Sequence, residues 1–170
     1  GKDAKNNKVV KIVGKPQKFN FELKSHIELA EKLELADFDQ GRFVSGQGFN
    51  YLKNELALLD FALQKYGVDF LLKRKFSLVT VPMMLRREAL SGAVDINAFE
   101  DVIYKVENEN LYLIGTAEHS LVTMFKDKTF NNLEKPIKVC AVTPCFRKEI
   151  GGHGVDTKGL FRMHQFNKVE

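Results

Sequence analysis

Apolar residues recur at helical spacing through one long stretch of the chain. Leu52, Leu56, Leu59 and Leu63 fall on a single stripe, and Leu58, Phe61 and Ala62 widen it. Val68, Phe70, Leu71 and Leu72 carry the pattern past Gly67, a residue that costs about 1 kcal/mol inside a helix. The pattern predicts the longest helix, from Asn50 as its cap to Arg74. A helix apolar over so much of its girth is either buried in its own core or needs a second body to pack against. Ser25 and Glu28 form a capping box that opens a shorter helix reaching about Leu33. The segment 37–48 leads out through a turn, with a short strand at Arg42 to Ser45.

Period-two patterning dominates elsewhere. Phe76 to Val81 reads as a strand closed by Pro82. Val102 to Val106 and Leu111 to Ile114 read as a hairpin joined by E-N-E-N. Ile137 to Phe146 and Leu160 to Val169 read as two further strands, with Pro136 introducing the first. The loop between them carries Gly151, Gly152, Gly154 and Gly159. Met84 to Leu90 reads as a short helix with Arg86 and Arg87 exposed. Ser91 to Glu100 reads as a mobile loop and Asn131 to Lys135 as a surface loop. Gly115-Thr116-Ala117-Glu118 precedes Leu121, Val122, Met124 and Phe125, so a helix is expected there with Thr116 as its cap and Glu118 as a first-turn acid. Hairpins and separated helices, without βαβ alternation, predict an α+β fold: an antiparallel β-sheet flanked by helices.

Composition narrows the class without choosing a function. The 170 residues are 44% hydrophobic and 28% charged, with a net charge of +4. That suits one folded domain with a real core. The mild basicity is compatible with an RNA or nucleotide partner and does not argue for one. No apolar run is long enough to span a bilayer, and the lysine-rich start lacks the apolar core of a signal peptide. Residues 1–18 read as a tail or linker with an apolar patch at Val9, Val10, Ile12 and Val13, and 19–170 as one domain. The two cysteines, Cys140 and Cys145, have no recognised zinc spacing. They read as buried reduced thiols, which points to the cytoplasm.

The candidate chemistry gathers on the glycine-loop hairpin. On the second arm, alternation puts Arg162, His164, Phe166, Lys168 and Glu170 on one face. Arg147 and Glu149 share a face where the first arm ends. Guanidinium groups bind phosphate oxygens, a ring accepts a stacked base, and a carboxylate accepts from an amine. Such a set suits an adenine nucleotide with a small amine-bearing partner; a solvated hairpin with cross-strand ion pairs is the alternative. His26 reads as a surface residue, and His119, on the helix, receives no role.

F-R-K-E, the glycine-rich loop and G-L-F-R-M-H-Q-F-N-K-V-E together resemble motif 2 of the class II aminoacyl-tRNA synthetases. T-A-E at Thr116 to Glu118 and the G-L-x-R-x-H-Q-F wording resemble the seryl-tRNA synthetases in particular, and the likeness extends upstream to about Phe19. The long helix with strand Phe76 to Val81 and Pro82 resembles motif 1, which implies a homodimer. The resemblance implies the class II catalytic fold, in truncated form. It also implies ATP and Mg²⁺, L-serine and tRNA(Ser) as partners, and a cytoplasmic enzyme that makes seryl-adenylate and transfers the seryl group.

By resemblance, Arg147 would be the catalytic residue, bridging the serine carboxylate and the α-phosphate. Lys148, Glu149, Arg162, Met163 and Phe166 would complete the ATP site. Within it Glu149 would face the adenine amine, Arg162 the γ-phosphate and Phe166 the base. Thr116, Ala117, Glu118 and Glu170, with Arg147, would form the serine pocket. His153 and Lys158 are candidates for contacting the tRNA acceptor end. No protein metal ligand is expected. The family's tRNA-gripping arm and motif 3 have no match here, so this stretch by itself is expected to bind ATP poorly and to activate serine feebly. A non-catalytic binding or dimerisation module on the same fold, or a class II synthetase for another small amino acid such as threonine or proline, remains open as an alternative.

Overall fold

The computed structural model describes residues 4–131, 135–149 and 159–170. Its strands are short and pair two by two. Ala36–Asp37 (β1) and Tyr51–Leu52 (β2) are antiparallel, as are Met84–Leu85 (β4) and Tyr112–Leu113 (β5). Val142–Phe146 (β7) and Gln165–Val169 (β8) form the longest antiparallel ladder, five residues in register from Val142 opposite Val169 to Phe146 opposite Gln165. Ser77–Leu78 (β3) departs from the expected antiparallel pattern: it runs parallel to Val139–Cys140 (β6). The intervening chain makes the crossover that a parallel pair requires. Backbone bonds stitch the pairs together, from Ile114 N–H to the Met83 carbonyl and from Phe146 N–H to the Ile114 carbonyl.

The helices follow their caps. Helix α1, His26–Lys32, begins at the expected capping box, with both reciprocal bonds between Ser25 and Glu28 present. Helix α2, Phe38–Ser45, replaces the expected strand at Arg42 to Ser45. Asp37 caps it, accepting from the Gln40 N–H at 2.9 Å, and such a cap favours helix from its first turn. Helix α3 spans Asn54–Leu72, shorter than Asn50 to Arg74. Tyr51 and Leu52 are held in β2, and the Asn50 amide donates to Met163 Sδ rather than capping the helix.

Gly67 stays inside α3 for a packing reason. A Cβ there would lie 3.2 Å from the Val169 methyls, where α3 crosses the end of β8.

The expected helix at Met84 to Leu90 divides. Its first residues join β4, and only Arg87–Leu90 (α4) is helical. Arg87 is half-buried rather than exposed, with NH1 bonded to the Tyr112 hydroxyl at 3.2 Å. The expected loop at Ser91 to Glu100 contains a helical turn, Ile96–Phe99 (α5), capped by Asp95. The hairpin expected before Ile114 is present in reduced form, with Val106 N–H bonded to the Leu111 carbonyl and Leu113 N–H to that of Tyr104.

Two apolar clusters support the site. Leu85, Leu90, Ile96, Ile103, Tyr112 and Ile114 fill one. Ala117, Leu121 and Ala141 form the other, against Val79, Val81 and Val139. Helix α3 contributes no buried residue. Leu58, Phe61, Leu63 and Tyr66 are each 60–68% exposed.

Candidate active site

The β7–β8 ladder presents the site, and its open end carries Arg147. The Arg147 N–H bonds the His164 carbonyl at 2.9 Å, continuing the ladder past Phe146. Its Nε donates to the Gly115 carbonyl at 3.0 Å. Its guanidinium carbon lies 5.2 Å from the centre of the Phe166 ring. A cation held over an aromatic face by a fixed backbone acceptor is preorganised to meet an anion. Glu149 and Arg162, on opposite arms, form an ion pair at 3.5 Å. Lys148 donates its N–H to the Val102 carbonyl and holds its ammonium 5.8 Å from the Tyr104 ring. Of the residues expected to hold ATP, Arg147 meets Phe166 and Glu149 meets Arg162, while Lys148 faces Tyr104 and Met163 is tied by its sulfur to Asn50.

At the other end of β8, Glu170 meets Thr116. Ala141 and Glu170 exchange backbone bonds at 2.9 and 3.0 Å, which carries the ladder one residue beyond Val169. Thr116 Oγ1 donates to Glu170 Oε2, and the Glu118 N–H donates to the same oxygen at 3.0 Å. Lys168 Nζ donates to Glu170 Oε1 at 2.5 Å and to Thr116 Oγ1 at 2.9 Å. Burial alone would raise the Glu170 carboxyl. The bonds from Lys168, Thr116 and the Glu118 N–H outweigh it and hold the group below the ordinary carboxylate range.

Thr116 does not cap a helix, contrary to expectation. Helix α6, Glu118–Thr123, starts after Ala117 without a side-chain cap, because the Thr116 hydroxyl is spent on Glu170.

Other expected residues fall elsewhere. His164 leaves the Arg162–Glu170 face that alternation assigned to it: its ring bonds the Tyr104 hydroxyl and stacks on Phe49 at 5.3 Å. His26 is half-buried rather than superficial, accepting from the Leu160 N–H at 3.1 Å. Cys140 and Cys145 are buried free thiols. His153 and Lys158 lie outside the described residues.

Two residues of the site were not selected from sequence. Lys168 was read as one charge of an alternating strand, and only the fold shows its ammonium between Thr116 and Glu170. His119 lines a cavity beside Arg147, with its Nδ1 buried and unpartnered. Burial pushes its pKa down, with smaller opposing contributions from Glu118 and Glu170.

Residues 104–170 match the tRNA synthetase class II core domain model, described for the glycine, histidine, proline, serine and threonine enzymes. All 170 residues align with a serine–tRNA ligase of Methanoregula boonei at 45% identity. The chain superposes on the seryl-tRNA synthetase of Pyrococcus horikoshii complexed with ATP at a TM-score of 0.84 and 46% identity, over 89% of this chain and 34% of that one. Along its whole length this chain is similar to seryl-tRNA synthetases. It carries a partial class II catalytic fold. It also matches the cytoplasmic serine–tRNA ligase of Naegleria fowleri in complex with AMP, at a TM-score of 0.90 and 33% identity, over 99% of this chain and 41% of that one. The chain spans 40% of the length of the Methanoregula relative. Among the described residues, no helix is long and apolar enough to cross a membrane.

Proposed function

We propose that the protein containing this segment activates L-serine with ATP and transfers the seryl group to tRNA(Ser). One observation carries the reading: Glu170 and Thr116 already hold an ammonium, that of Lys168, at the far end of the ladder that carries Arg147. The same carboxylate and hydroxyl are suited to the ammonium and hydroxyl of serine. Arg147 is suited to neutralise the serine carboxylate and the α-phosphate as they meet, which is the electrostatic work this reaction needs. Phe166 offers a face for adenine, and Glu149 and Arg162 bracket the nucleotide from the two arms. The relatives named for ATP and AMP support the nucleotide half of this reading.

Mg²⁺ enters the reading as the counter-ion of the ATP phosphates. Among the described residues, no group of three His, Cys, Asp or Glu side chains is placed to hold a metal ion. The exposed apolar girth of α3 supports association with a second copy of the chain through that helix. A cytoplasmic location belongs to the same reading.

Pyrophosphate exchange by the full-length protein, run with serine, threonine, proline and alanine, tests it. Serine-dependent exchange well above the other three is expected. Exchange with threonine or proline instead, or with none of them, would overturn it.

A further inference from the structure

His26, the first residue of α1, meets the approach to β8 across 134 residues of chain. Its Nε2 accepts from the Leu160 N–H at 3.1 Å. Its ring stands edge-on to Phe161, with centroids 4.5 Å apart and planes at 76°. Gly159 completes the contact. It has φ +77°, and a Cβ there would overlap His26 Nε2 and lie 2.7 Å from Ile27 Cγ1. Three consecutive residues are thus moulded to one histidine, and only glycine fits at the first.

Arg162 follows directly and stands outside the β-ladder, which begins at Gln165. Among the described residues, two backbone N–H bonds tie this approach down: Leu160 to His26, and His164 to the Gly48 carbonyl at 3.1 Å. Arg162 lies midway between them. Its ion pair with Glu149, at 3.5 Å and half-exposed, holds the side chain only weakly. The backbone at His26 is therefore the firmer anchor on that side. The anchor also has a defined chemistry. A ring nitrogen that accepts an N–H carries no proton, so the proton sits on Nδ1. The capping box at Ser25 and Glu28 fixes the turn that carries the imidazole.

We propose that His26 is a positioning residue for ATP: it fixes the backbone from which Arg162 reaches the γ-phosphate. The inference deepens the functional reading above and rests on it, with Arg147 at the α-phosphate and Arg162 at the γ-phosphate. His26 touches no reacting atom and acts through Leu160 and Phe161. A guanidinium on a long, flexible stem meets a phosphate productively only when its own backbone is held in place. The effect is selective among nucleotides. AMP has no γ-phosphate and so does not call on Arg162, and its binding is indifferent to His26.

Calorimetric titration of the full-length protein with ATP, and separately with AMP, tests this. His26→Phe keeps a ring beside Phe161 and removes the acceptor. His26→Gln keeps an acceptor near the place of Nε2. Gly159→Ala drives a methyl group against the imidazole from the other side. His26→Phe and Gly159→Ala should each weaken ATP about fivefold, the worth of one hydrogen bond, and leave AMP unchanged. His26→Gln should bind ATP nearly as wild type does. In an Arg162→Ala background, His26→Phe should weaken ATP no further. Equal losses for ATP and AMP, unchanged ATP affinity in His26→Phe, or a further loss in the Arg162→Ala background would overturn the assignment, as would a wild type that binds no ATP. A wild type that binds ATP as stated yet shows no serine-dependent pyrophosphate exchange would instead reject the functional reading and leave the positioning role standing.

Discussion

The Tyr104 hydroxyl lies 2.5 Å from Nδ1 of His164, sixty residues further along the chain. The His164 backbone is equally engaged: its N–H bonds the Gly48 carbonyl, and its carbonyl accepts from Arg147. Gly48 has φ +85°, and a Cβ there would sit 2.5 Å from His164 Cδ2. His164 is therefore held by its ring at Tyr104 and by its backbone at Gly48, and its carbonyl in turn holds the backbone of Arg147. Tyr104→Phe leaves the half-buried ring without its partner and should cost about 1 kcal/mol, measured by urea unfolding. An unchanged midpoint would mean that the bond contributes nothing to the fold.

Gly67 and Val169 touch where α3 crosses β8. Gly67→Val should destabilise by about 1–3 kcal/mol through overpacking. Val169→Ala in the same chain should recover part of that loss. A double-mutant cycle in urea checks the coupling, and strictly additive effects would argue against contact at the crossing.

The exposed face of α3 predicts its own phenotype. Leu58→Asp with Phe61→Asp should convert a dimer to a monomer in analytical ultracentrifugation while leaving far-ultraviolet circular dichroism unchanged. Both side chains are more than 60% exposed within one chain, so the charges meet water unless a partner covers them. A wild-type protein that sediments as a monomer at micromolar concentration would remove the basis for this helix as an interface.

Glu170 makes stability depend on acid pH with a definite sign. Its pKa is lowered in the folded chain, so the unfolded state binds the proton more readily. The stability it contributes is complete above the ordinary carboxylate range and is lost as pH falls through the lowered folded value. Between about pH 5 and pH 3, wild type should lose more unfolding free energy than Glu170→Gln. Parallel acid profiles for the two would show that the carboxylate gains nothing from Lys168 and Thr116.

Where chemistry and local periodicity agreed, sequence reading located the parts. The capping box at Ser25 and the apolar girth of α3 were legible from residue order, as were the two arms of the hairpin, although the first divides into β6 and β7 and the second is strand only over Gln165–Val169 rather than from Leu160. Boundaries failed where a single polar side chain decided them. Asp37 makes a helix of a segment that read as turn and strand, and Met84 joins Tyr112–Leu113 in a pairing that no local pattern announces. Thr116 is the sharper case. A threonine before a helix reads as a cap, and its actual partner stands 54 residues away. Lys168 and His119 were invisible for the same reason: the roles of an ammonium and an imidazole depend on what distant strands bring beside them.

That separation has a consequence for how the protein is made. Each half of the site is closed by a contact with β8 or its flanks: Asn50 with Met163, Tyr104 with His164, Thr116 with Glu170, at separations of 113, 60 and 54 residues. Distant pairings of this kind form late, because loop closure must precede their reward. On the ribosome, where segments fold in the order in which they emerge, a nascent chain that has not yet extruded residue 170 lacks the carboxylate on which Thr116, Lys168 and the Glu118 N–H converge. The residues that close these three contacts are among the last of this segment to leave the exit tunnel.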